Sequence, residues 1–202
     1  DVDLVIHLAG LSGVRDSLDN PVDYWTNNVV ATYRIFNQFK NGPKILYASS
    51  STAYEPWRNP YAMSKHYMET IAPHNALAMR FTTVYGPGAR EQMLIPKILK
   101  NDVDYINVDH SRDFIHIDDI LTAIGTLIVN PIPRKPKFVD VGTGVSNNLL
   151  DILSHLNMEV KDKRMGTIFE RKDNKASIGT LTKMGWMPQT NLLDYLKENY
   201  DN

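Results

Sequence analysis

The sequence contains no cysteine, which excludes a disulfide framework, a thiolate nucleophile and a zinc site built from cysteines. It also lacks an excess of either charge, because 22 basic and 23 acidic residues give a formal net charge of -1. Neither a nucleic-acid partner nor an anionic membrane surface is therefore predicted, and a small anionic ligand would need local arginines. The cytoplasm is the simplest compartment for a chain of this kind.

Long hydrophobic runs are absent as well. No apolar stretch approaches the roughly 20 residues that a membrane span needs, and the amino terminus has no signal-peptide pattern, so we expect no membrane association. The six histidines show no ligand spacing, and no metal site is predicted. The chain begins at Asp1, without a methionine and inside a predicted strand, which suggests a fragment or a processed product.

Strand-like and helix-like patterns alternate along the first half of the chain. Residues 2–9 form a nearly continuous apolar run, which is typical of a strand buried on both faces of a parallel sheet. Residues 21–39 have apolar side chains at helical spacing, and Asn20 and Pro21 resemble an N-cap and a first helical residue. Further strands are predicted at 45–48 and 76–84, and a helix at 60–71. This order predicts an α/β fold with a doubly wound parallel sheet.

Beyond Gly88 the predicted elements become shorter, which indicates a second, smaller α/β lobe. Helices are predicted at 93–100, 118–129, 146–156 and 190–200, strands at 105–108, 114–117 and 138–141, and a polar loop at 161–175. We assign residues 1–87 and 112–130 to the first domain, and residues 88–111 and 131–202 to the lobe.

Two glycine-containing turns follow strands, and neither is predicted to cradle a dinucleotide. After Gly10 and Gly13 the third glycine position is Asp16, and the next helix is predicted to begin only near Pro21. The turn at 142–144 has no visible acidic partner for a ribose. In a similar way, the acidic pair at 118–119 is better explained by helix capping than by catalysis.

Tyr61 and Lys65 lie four residues apart in a predicted helix, so their side chains share one face. A cation about 4 Å from a phenol, at an effective dielectric of about 20, is worth about 4 kcal/mol, or about 3 pKa units. Such a pair could supply a base near neutral pH. An exposed helix face would explain it equally well, because ten tyrosines in this composition give roughly 0.6 such pairs by chance.

A cluster of hydroxyls follows the predicted strand at 45–48. The residues are Ser49, Ser50, Ser51 and Thr52, at the carboxyl end of a strand, which is where open α/β sheets bind ligands. A hydroxyl there could hold a substrate oxygen beside the Tyr-Lys pair. An ordinary serine-rich turn is the alternative.

Seven short motifs occur in one order along the chain. They are His7-Leu8-Ala9-Gly10, Asn27-Asn28-Val29, Ser49-Ser50-Ser51-Thr52-Ala53-Tyr54, Tyr61-x-x-x-Lys65, the run from Arg80 to Pro87, the run from Arg112 to Asp119, and Gly185-Trp186-x-Pro188. In this order they resemble the UDP-sugar 4-epimerases of the extended short-chain dehydrogenase/reductase family. The resemblance spans almost the whole chain and implies a Rossmann-like, dinucleotide-binding first domain and a substrate-binding lobe.

The resemblance implies that one sugar carbon is oxidised and then reduced again with NAD as cofactor. Tyr61 would take the proton from the C4 hydroxyl, Ser50 would hydrogen-bond the same oxygen, and Lys65 would lower the tyrosine pKa and bind the nicotinamide ribose. Ser50 is chosen because the active hydroxyl of the family lies four positions before the tyrosine that is Tyr54 here. Family dehydratases have an acidic pair after that hydroxyl, whereas Ser51 and Thr52 stand here, which favours epimerisation or carbonyl reduction.

The resemblance also implies binding residues. On the cofactor side they are Ala9, Gly10, Asn28, Ser49, Tyr61 and Lys65. On the nucleotide-sugar side they are Ser51, Thr83, Arg112 and Arg171, and the two arginines are expected to bind the diphosphate because guanidinium forks suit phosphate oxygens. A surface charge is the alternative for either arginine. The threonine at position 83 looks more like the branch that acts on UDP-glucuronate.

This sequence departs from the family at its start, because the first βαβ unit, with its glycine-rich loop, would precede Asp1. We therefore expect an epimerase that needs that segment, a homodimer formed through the helices at 21–39 and 60–71, and a nucleotide-sugar substrate. Two other hypotheses stay open. One is a non-catalytic nucleotide-sugar-binding fragment, and the other is a sugar-nucleotide reductase or dehydratase.

Overall fold

A computed structural model describes residues 2–133 and 135–200. The strands are β1 Leu4–His7, β2 Lys44–Ser50, β3 Ala76–Phe81, β4 Thr83–Tyr85, β5 Tyr105–Asn107, β6 Ser111–Arg112, β7 Phe114–His116, β8 Phe138–Val141, β9 Asn147–Asn148 and β10 Asp162–Arg164. The α-helices are α1 Val14–Asp19, α2 Pro21–Tyr24, α3 Ala31–Phe39, α4 Pro60–Thr70, α5 Leu94–Leu99, α6 Ile117–Val129, α7 Leu149–His155, α8 Gly179–Lys183 and α9 Leu192–Asn199. Within the described ranges, no helix is long and apolar enough to cross a bilayer.

The chain divides into two compact units. The first consists of Asp1–Phe81, Leu127–Asp140 and Ile168–Arg171, and the second of Thr82–Thr126, Val141–Thr167 and Lys172–Asn202. The domain boundaries drawn from the sequence stay a prediction.

The first unit is organised by a four-stranded sheet with the order β1-β2-β3-β8, in which β1 and β3 both pair with β2 in parallel. Its core consists of small and large apolar side chains from the two central strands and the helices beside them. The fully enclosed members are Phe36, Ile45, Tyr47, Met68, Ala76 and Ala78. The α/β fold with a Rossmann-like parallel sheet, predicted from the sequence, is confirmed, and the sheet leaves the hydroxyls of residues 49–52 at the carboxyl end of β2.

The second unit has its own core and three two-stranded sheets. The pairs are β4 with β7 and β5 with β10, both parallel, and β6 with β9, which is antiparallel. Apolar side chains of α5, α7 and α9 pack together with those strands, and twelve buried residues from Tyr85 to Leu196 form one cluster. Two of these helices begin at asparagines, Asn148 and Asn191, whose side chains accept from backbone amides of the first turn.

The predicted helix at 21–39 is present over the predicted residues, but it is not α-helical throughout. It begins as α2, passes through a π-helical turn at Trp25–Val30, and continues as α3. Asn20 was expected to cap it, but the Asn20 side chain donates instead to the carbonyl of Asp16 at 3.3 Å. A short helix, α1, precedes it, so the prediction that no helix begins before Pro21 was wrong. Six residues with one buried side chain, Ser17, give too weak a periodicity to detect.

The acidic pair at 118–119 lies in the first turn of α6, where it was expected. Asp119 is buried, and its carboxylate accepts from the backbone amides of Gln189 and Thr190 at 2.8 and 3.0 Å. It therefore also holds a loop that is distant in the sequence. Periodicity carries no information on such a contact, because its partners are 70 residues away.

Candidate active site

Helix α4 positions the predicted Tyr-Lys pair. It begins after Asn59, whose side-chain oxygen accepts from the amide of Ala62 at 2.8 Å, and Pro60 occupies its first turn. This cap and this proline are a strong local start signal, so the helix is present where the sequence predicts it. Tyr61 and Lys65 consequently lie one turn apart, and the Lys65 Nζ is 5.9 Å from the centre of the Tyr61 ring.

The Lys65 side chain is buried against the end of β2. Only 4% of it is exposed, and its Nζ donates to the carbonyl of Ala48 at 2.9 Å. An ammonium has three donors, so two are left for other acceptors. Because Ala48 lies two residues before Ser50, this bond fixes α4 against the strand end that carries the predicted hydroxyl.

Burial lowers the pKa of Lys65 from 10.5 to about 8, and the opposite charge of Glu69 counteracts that fall. The ammonium is thus still the main form near neutral pH. An ammonium in a water-poor position beside a phenol favours the phenolate, because the charge is screened less there than at the surface.

The Ser50 hydroxyl accepts two hydrogen bonds within its own turn. It is 7% exposed, and its Oγ accepts from the amide and from the hydroxyl of Thr52, at 3.2 and 2.9 Å. A serine hydroxyl has two lone pairs and one proton. With both lone pairs engaged, the Ser50 O–H is suited to donate to an oxygen that arrives from outside.

The loop after β1 passes close to Lys65. Asn28, which lies in the π-helical turn, accepts from the amide of Leu11 at 2.7 Å and donates to its carbonyl and to the Ser64 hydroxyl, both at 3.0 Å. This buried amide ties the loop of Ala9 and Gly10 to α4. A Cβ on Gly10 would lie 2.8 Å from the Asn28 Oδ1 and 3.5 Å from the Lys65 Nζ.

We expect Gly10→Ala to destabilise the protein by about 1–3 kcal/mol, because the new methyl group would displace the Asn28 side chain from the loop. Equilibrium denaturation with urea measures this loss. The matched control is Gly125→Ala, where a Cβ meets nothing within 4 Å inside α6. That change is expected to stabilise by about 0.5–1 kcal/mol through helix propensity. Equal unfolding midpoints for Gly10→Ala and the wild type would contradict the close approach.

The remaining predicted residues of the first unit lie around the same strand end. The Ser49 Oγ donates to Glu69 at 2.5 Å, and Ser51 is buried with its carbonyl bonded by the Arg171 guanidinium at 2.5 Å. Arg171 also donates to Glu55 at 3.3 Å. The structure thus brings Arg171 to the residue after Ser50, a proximity that the weak sequence register could not give.

Thr83 and Arg112, the predicted residues of the second unit, lie on neighbouring segments, since the Thr83 amide donates to the carbonyl of Asp113 at 2.9 Å. The Thr83 hydroxyl accepts from Asn174 at 3.0 Å. One Arg112 nitrogen donates to the carbonyls of Ser111 and Lys172, and another lies 3.0 Å from a ring nitrogen of the buried His110. Backbone acceptors on both sides hold the guanidinium in one orientation.

Sequence reasoning missed three side chains that contact the predicted pair or its neighbours. Tyr24 donates to the carbonyl of Ser12 at 2.9 Å, and its ring packs edge-on against Tyr61 with centroids 6.0 Å apart. Glu69 and Arg80 form a buried ion pair next to Ser49. Only Glu69 had a detectable signal, because it continues the four-residue spacing of Tyr61 and Lys65.

The known proteins to which this chain is similar include nucleotide-sugar epimerases. Over 232 residues, a UDP-glucuronate 4-epimerase of Thermodesulfobacterium geofontis is 29% identical, covering 97% of this chain and 71% of that protein. A crystal structure of a Bacillus cereus UDP-glucuronic acid 4-epimerase mutant, with UDP-4-deoxy-4-fluoro-glucuronic acid and NAD, has a TM-score of 0.86 at 25% identity, covering 100% of this chain and 75% of that one. An NAD-dependent NDP-hexosamine 5,6-dehydratase of tunicamycin biosynthesis gives 0.85 at 25% identity, covering 99% and 76%.

The parallel sheet and the tyrosine–lysine helix are those of nicotinamide-dependent enzymes of the extended short-chain dehydrogenase class. Residues 1–142 match one family within that class, and the chain belongs to this NAD-dependent epimerase/dehydratase family. The sequence prediction of the family and of NAD as its cofactor is thereby confirmed.

The residues of the first unit fit the nicotinamide ribose of NAD. A Cβ on Gly10 would lie 3.5 Å from the Lys65 Nζ, so the loop backbone passes beside the ammonium, which has two donors besides the one bonded to Ala48. Ala9 and Gly10 are exposed, so a ligand can reach this position along the loop.

Proposed function

We propose that this chain is a UDP-sugar 4-epimerase in which Tyr61 is the catalytic base, Ser50 hydrogen-bonds the reacting oxygen and Lys65 lowers the pKa of the tyrosine. The observation that carries the proposal is the buried Lys65 ammonium 5.9 Å from the Tyr61 ring, anchored to Ala48 at the strand end that leads to Ser50. UDP-glucuronate is the preferred candidate among UDP-sugars, given the similarity to epimerases of that substrate.

Each residue has one task in this proposal. Tyr61 takes the proton of the C4 hydroxyl and later returns it, while Ser50 donates to the C4 oxygen through the one proton that Thr52 leaves unused. Lys65 stays protonated and lowers the pKa of the phenol. Bound NAD supplies a hydride acceptor and donor at the nicotinamide. Lys65 would bind the nicotinamide ribose of NAD, and Ala9, Gly10, Asn28 and Ser49 would line the ribose site.

For the nucleotide sugar we propose binding residues from the family resemblance. Arg112 and Thr83 would bind the diphosphate, and Ser51 and Arg171 are proposed as further substrate-binding residues. The fixed guanidinium of Arg112 supports this role, because a held planar fork loses little freedom when it binds phosphate oxygens. Arg171 already has Glu55 as its counter-ion, so its contribution would depend on a rearrangement of that pair.

The direct test is incubation of the protein with NAD+ and UDP-glucuronate or UDP-glucose, followed by NMR of the sugar ring. A 4-epimerase converts a fraction of the substrate into its C4 epimer without net formation of NADH. Net oxidation or reduction would indicate a dehydrogenase or reductase, and loss of water would indicate a dehydratase. Saturable UDP-sugar binding without NAD binding and without turnover would favour a non-catalytic module.

A dehydratase is the second candidate, since a 5,6-dehydratase is among the similar structures. The residues after Ser50 argue against it. Ser51 and Thr52 provide no carboxylic acid, and Glu55, the next acidic side chain, is paired with Arg58 and Arg171. A leaving hydroxyl would therefore find no unpaired carboxylic acid among the residues that directly follow Ser50, and Glu69 is bound by Arg80 and Ser49.

We also propose that the chain acts in the cytoplasm as a homodimer. Large apolar side chains are exposed along the helices at 21–39 and 60–71, where the Trp25 and Tyr67 rings contact each other with centroids 4.9 Å apart, and Val22 and Tyr33 are 73% and 56% exposed. A second copy would remove this apolar surface from water. We expect light scattering to give the mass of two chains, and Val22→Asp with Tyr33→Asp to give one. A single-chain mass for the unmodified protein would reject the dimer.

A further inference from the structure

Helix α4 carries a third ionisable side chain in line with Tyr61 and Lys65. Glu69 lies one turn beyond Lys65 on the same face, and its side chain is 10% exposed. Carboxylates are rarely buried to this extent without partners. The contacts of Glu69 therefore indicate why it is there.

Two side chains hold the Glu69 carboxylate. Arg80 of β3 binds both oxygens, with its Nε 2.9 Å from Oε1 and its Nη2 2.5 Å from Oε2, and the Ser49 hydroxyl donates to Oε1 at 2.5 Å. Arg80 is itself fixed, because its guanidinium lies 3.5 and 4.1 Å from the ring centres of Phe138 and Tyr54. The carboxylate consequently cannot turn toward water, and its charge stays at one position.

The end of β2 is thereby attached to α4 at two successive residues. Lys65 binds the carbonyl of Ala48, Glu69 binds the hydroxyl of Ser49, and Ser50 follows next. Any sliding of β2 along α4 would break both bonds. These two bonds fix the position of Ser50 along the axis of α4.

We propose that Glu69 is a positioning residue for the Tyr61–Lys65 pair, acting as the fixed buried counter-charge that keeps Lys65 protonated and, through Ser49, aligning Ser50 with the pair. The role of the pair in catalysis rests on the proposed function, but the charge relationship between Glu69 and Lys65 does not.

Other titratable groups face this position from each neighbouring element. They are His7 in β1, Tyr47 in β2, Tyr61 in α4, Arg80 in β3, and Tyr54 with Asp140 beyond β2 and in β8. His7 is buried, and desolvation together with the Lys65 charge lowers its pKa, so it is neutral near pH 7. Burial, and then the charge of Glu69, raise the pKa of Tyr47, which is neutral too. Asp140 accepts from Tyr54, whose ring lies over Arg80. Glu69 is thus the carboxylate whose charge acts on Lys65.

The test measures the pKa of Lys65 in the protein itself, from the pH dependence of the Cε signal in 13C-lysine-labelled samples, with Lys65→Met for assignment. Glu69→Gln is expected to lower the pKa of Lys65 by about one unit, about a tenfold change in its dissociation constant. Since Glu69→Gln leaves Arg80 unpaired, a second variant, Glu69→Gln with Arg80→Met, removes both charges and keeps an apolar side chain between the two rings. Its Lys65 pKa is expected to stay below that of the wild type.

Glu91→Gln is the matched control, because Glu91 pairs with Lys100 at the surface, and it is expected to leave Lys65 unchanged. An unaltered Lys65 pKa in the double variant would overturn the proposal and leave Glu69 a purely structural ion pair. If the pKa falls but no sugar is epimerised by the wild type, this inference stands and the proposed function fails. If sugar is epimerised and the pKa does not move, the inference alone fails.

Discussion

Tyr61→Phe is expected to lower the turnover number about 10²- to 10⁴-fold, the range that a positioned acid–base group contributes. The phenylalanine keeps the ring that packs against Tyr24, so the fold and the helix face are preserved while the ionisable oxygen is lost. Steady-state rates of C4 inversion give the turnover number, and calorimetric titration gives the affinity for the UDP-sugar. Binding should change little, since the effect falls on a proton transfer and not on recognition of the nucleotide.

The matched control for this experiment is Tyr67→Phe. Tyr67 lies on the same helix but is 40% exposed, and its ring contacts Trp25. Its variant should keep wild-type turnover. Undiminished turnover in Tyr61→Phe would remove the tyrosine from the chemistry, whatever its geometry.

Lys65→Met is expected to abolish most turnover and, at the same time, to stabilise the protein near pH 7. Burial lowers the pKa of this ammonium from 10.5 to about 8, which corresponds to about 3 kcal/mol of unfavourable folding free energy. A methionine fills similar space without a charge, and the bond to Ala48 is lost, at about 1 kcal/mol, while the attraction of Glu69 is already contained in the net pKa of Lys65. The net gain should be about 1–2 kcal/mol, and it would show that this position is kept for function at a cost in stability.

The pH dependence of that gain has a definite sign. The folded-state pKa of Lys65 lies below the unfolded value, so between about pH 8 and 10.5 the unfolded chain binds the extra proton. The free energy of unfolding of the wild type therefore rises through that pH window. The extra stability of Lys65→Met relative to the wild type shrinks as pH increases. Denaturant unfolding of both proteins at about pH 7 and about pH 10 measures the difference.

Lys40→Met serves as the control, because Lys40 is exposed and bonded only to Asn37 among its described contacts. It should show no such trend with pH. A Lys65→Met protein that is less stable than the wild type at neutral pH would mean that the ammonium has stronger favourable partners than Ala48 and Glu69.

Helix α4 shows how far local sequence signals reach. Asn59 and Pro60 define its start by backbone chemistry alone, and the four-residue spacing then places Tyr61 and Lys65 on one face without any tertiary information. The apolar runs of β2 and β3 predict a buried parallel sheet for the same kind of reason. Such features depend on residues within one or two turns of each other, so a sequence contains them completely.

Interactions between distant segments could not be predicted from local sequence signals. The hydrogen bonds of Asn28 to Leu11 and Ser64, and the attachment of Arg171 to the carbonyl of Ser51, join residues far apart in the chain. The Arg80 ion pair with Glu69 joins a strand to a helix. No periodicity encodes them.

By itself, the sequence determined the α/β class, helix α4 with its Tyr61–Lys65 spacing, and the order of motifs that leads to the family, because each depends on short-range spacing. Only the tertiary structure decided that Lys65 is buried, that Ser50 has a proton left to donate, and that Glu69 stands as a fixed counter-charge. Burial and hydrogen-bond partners are properties of the packed chain, since they depend on which distant groups have displaced water from a side chain.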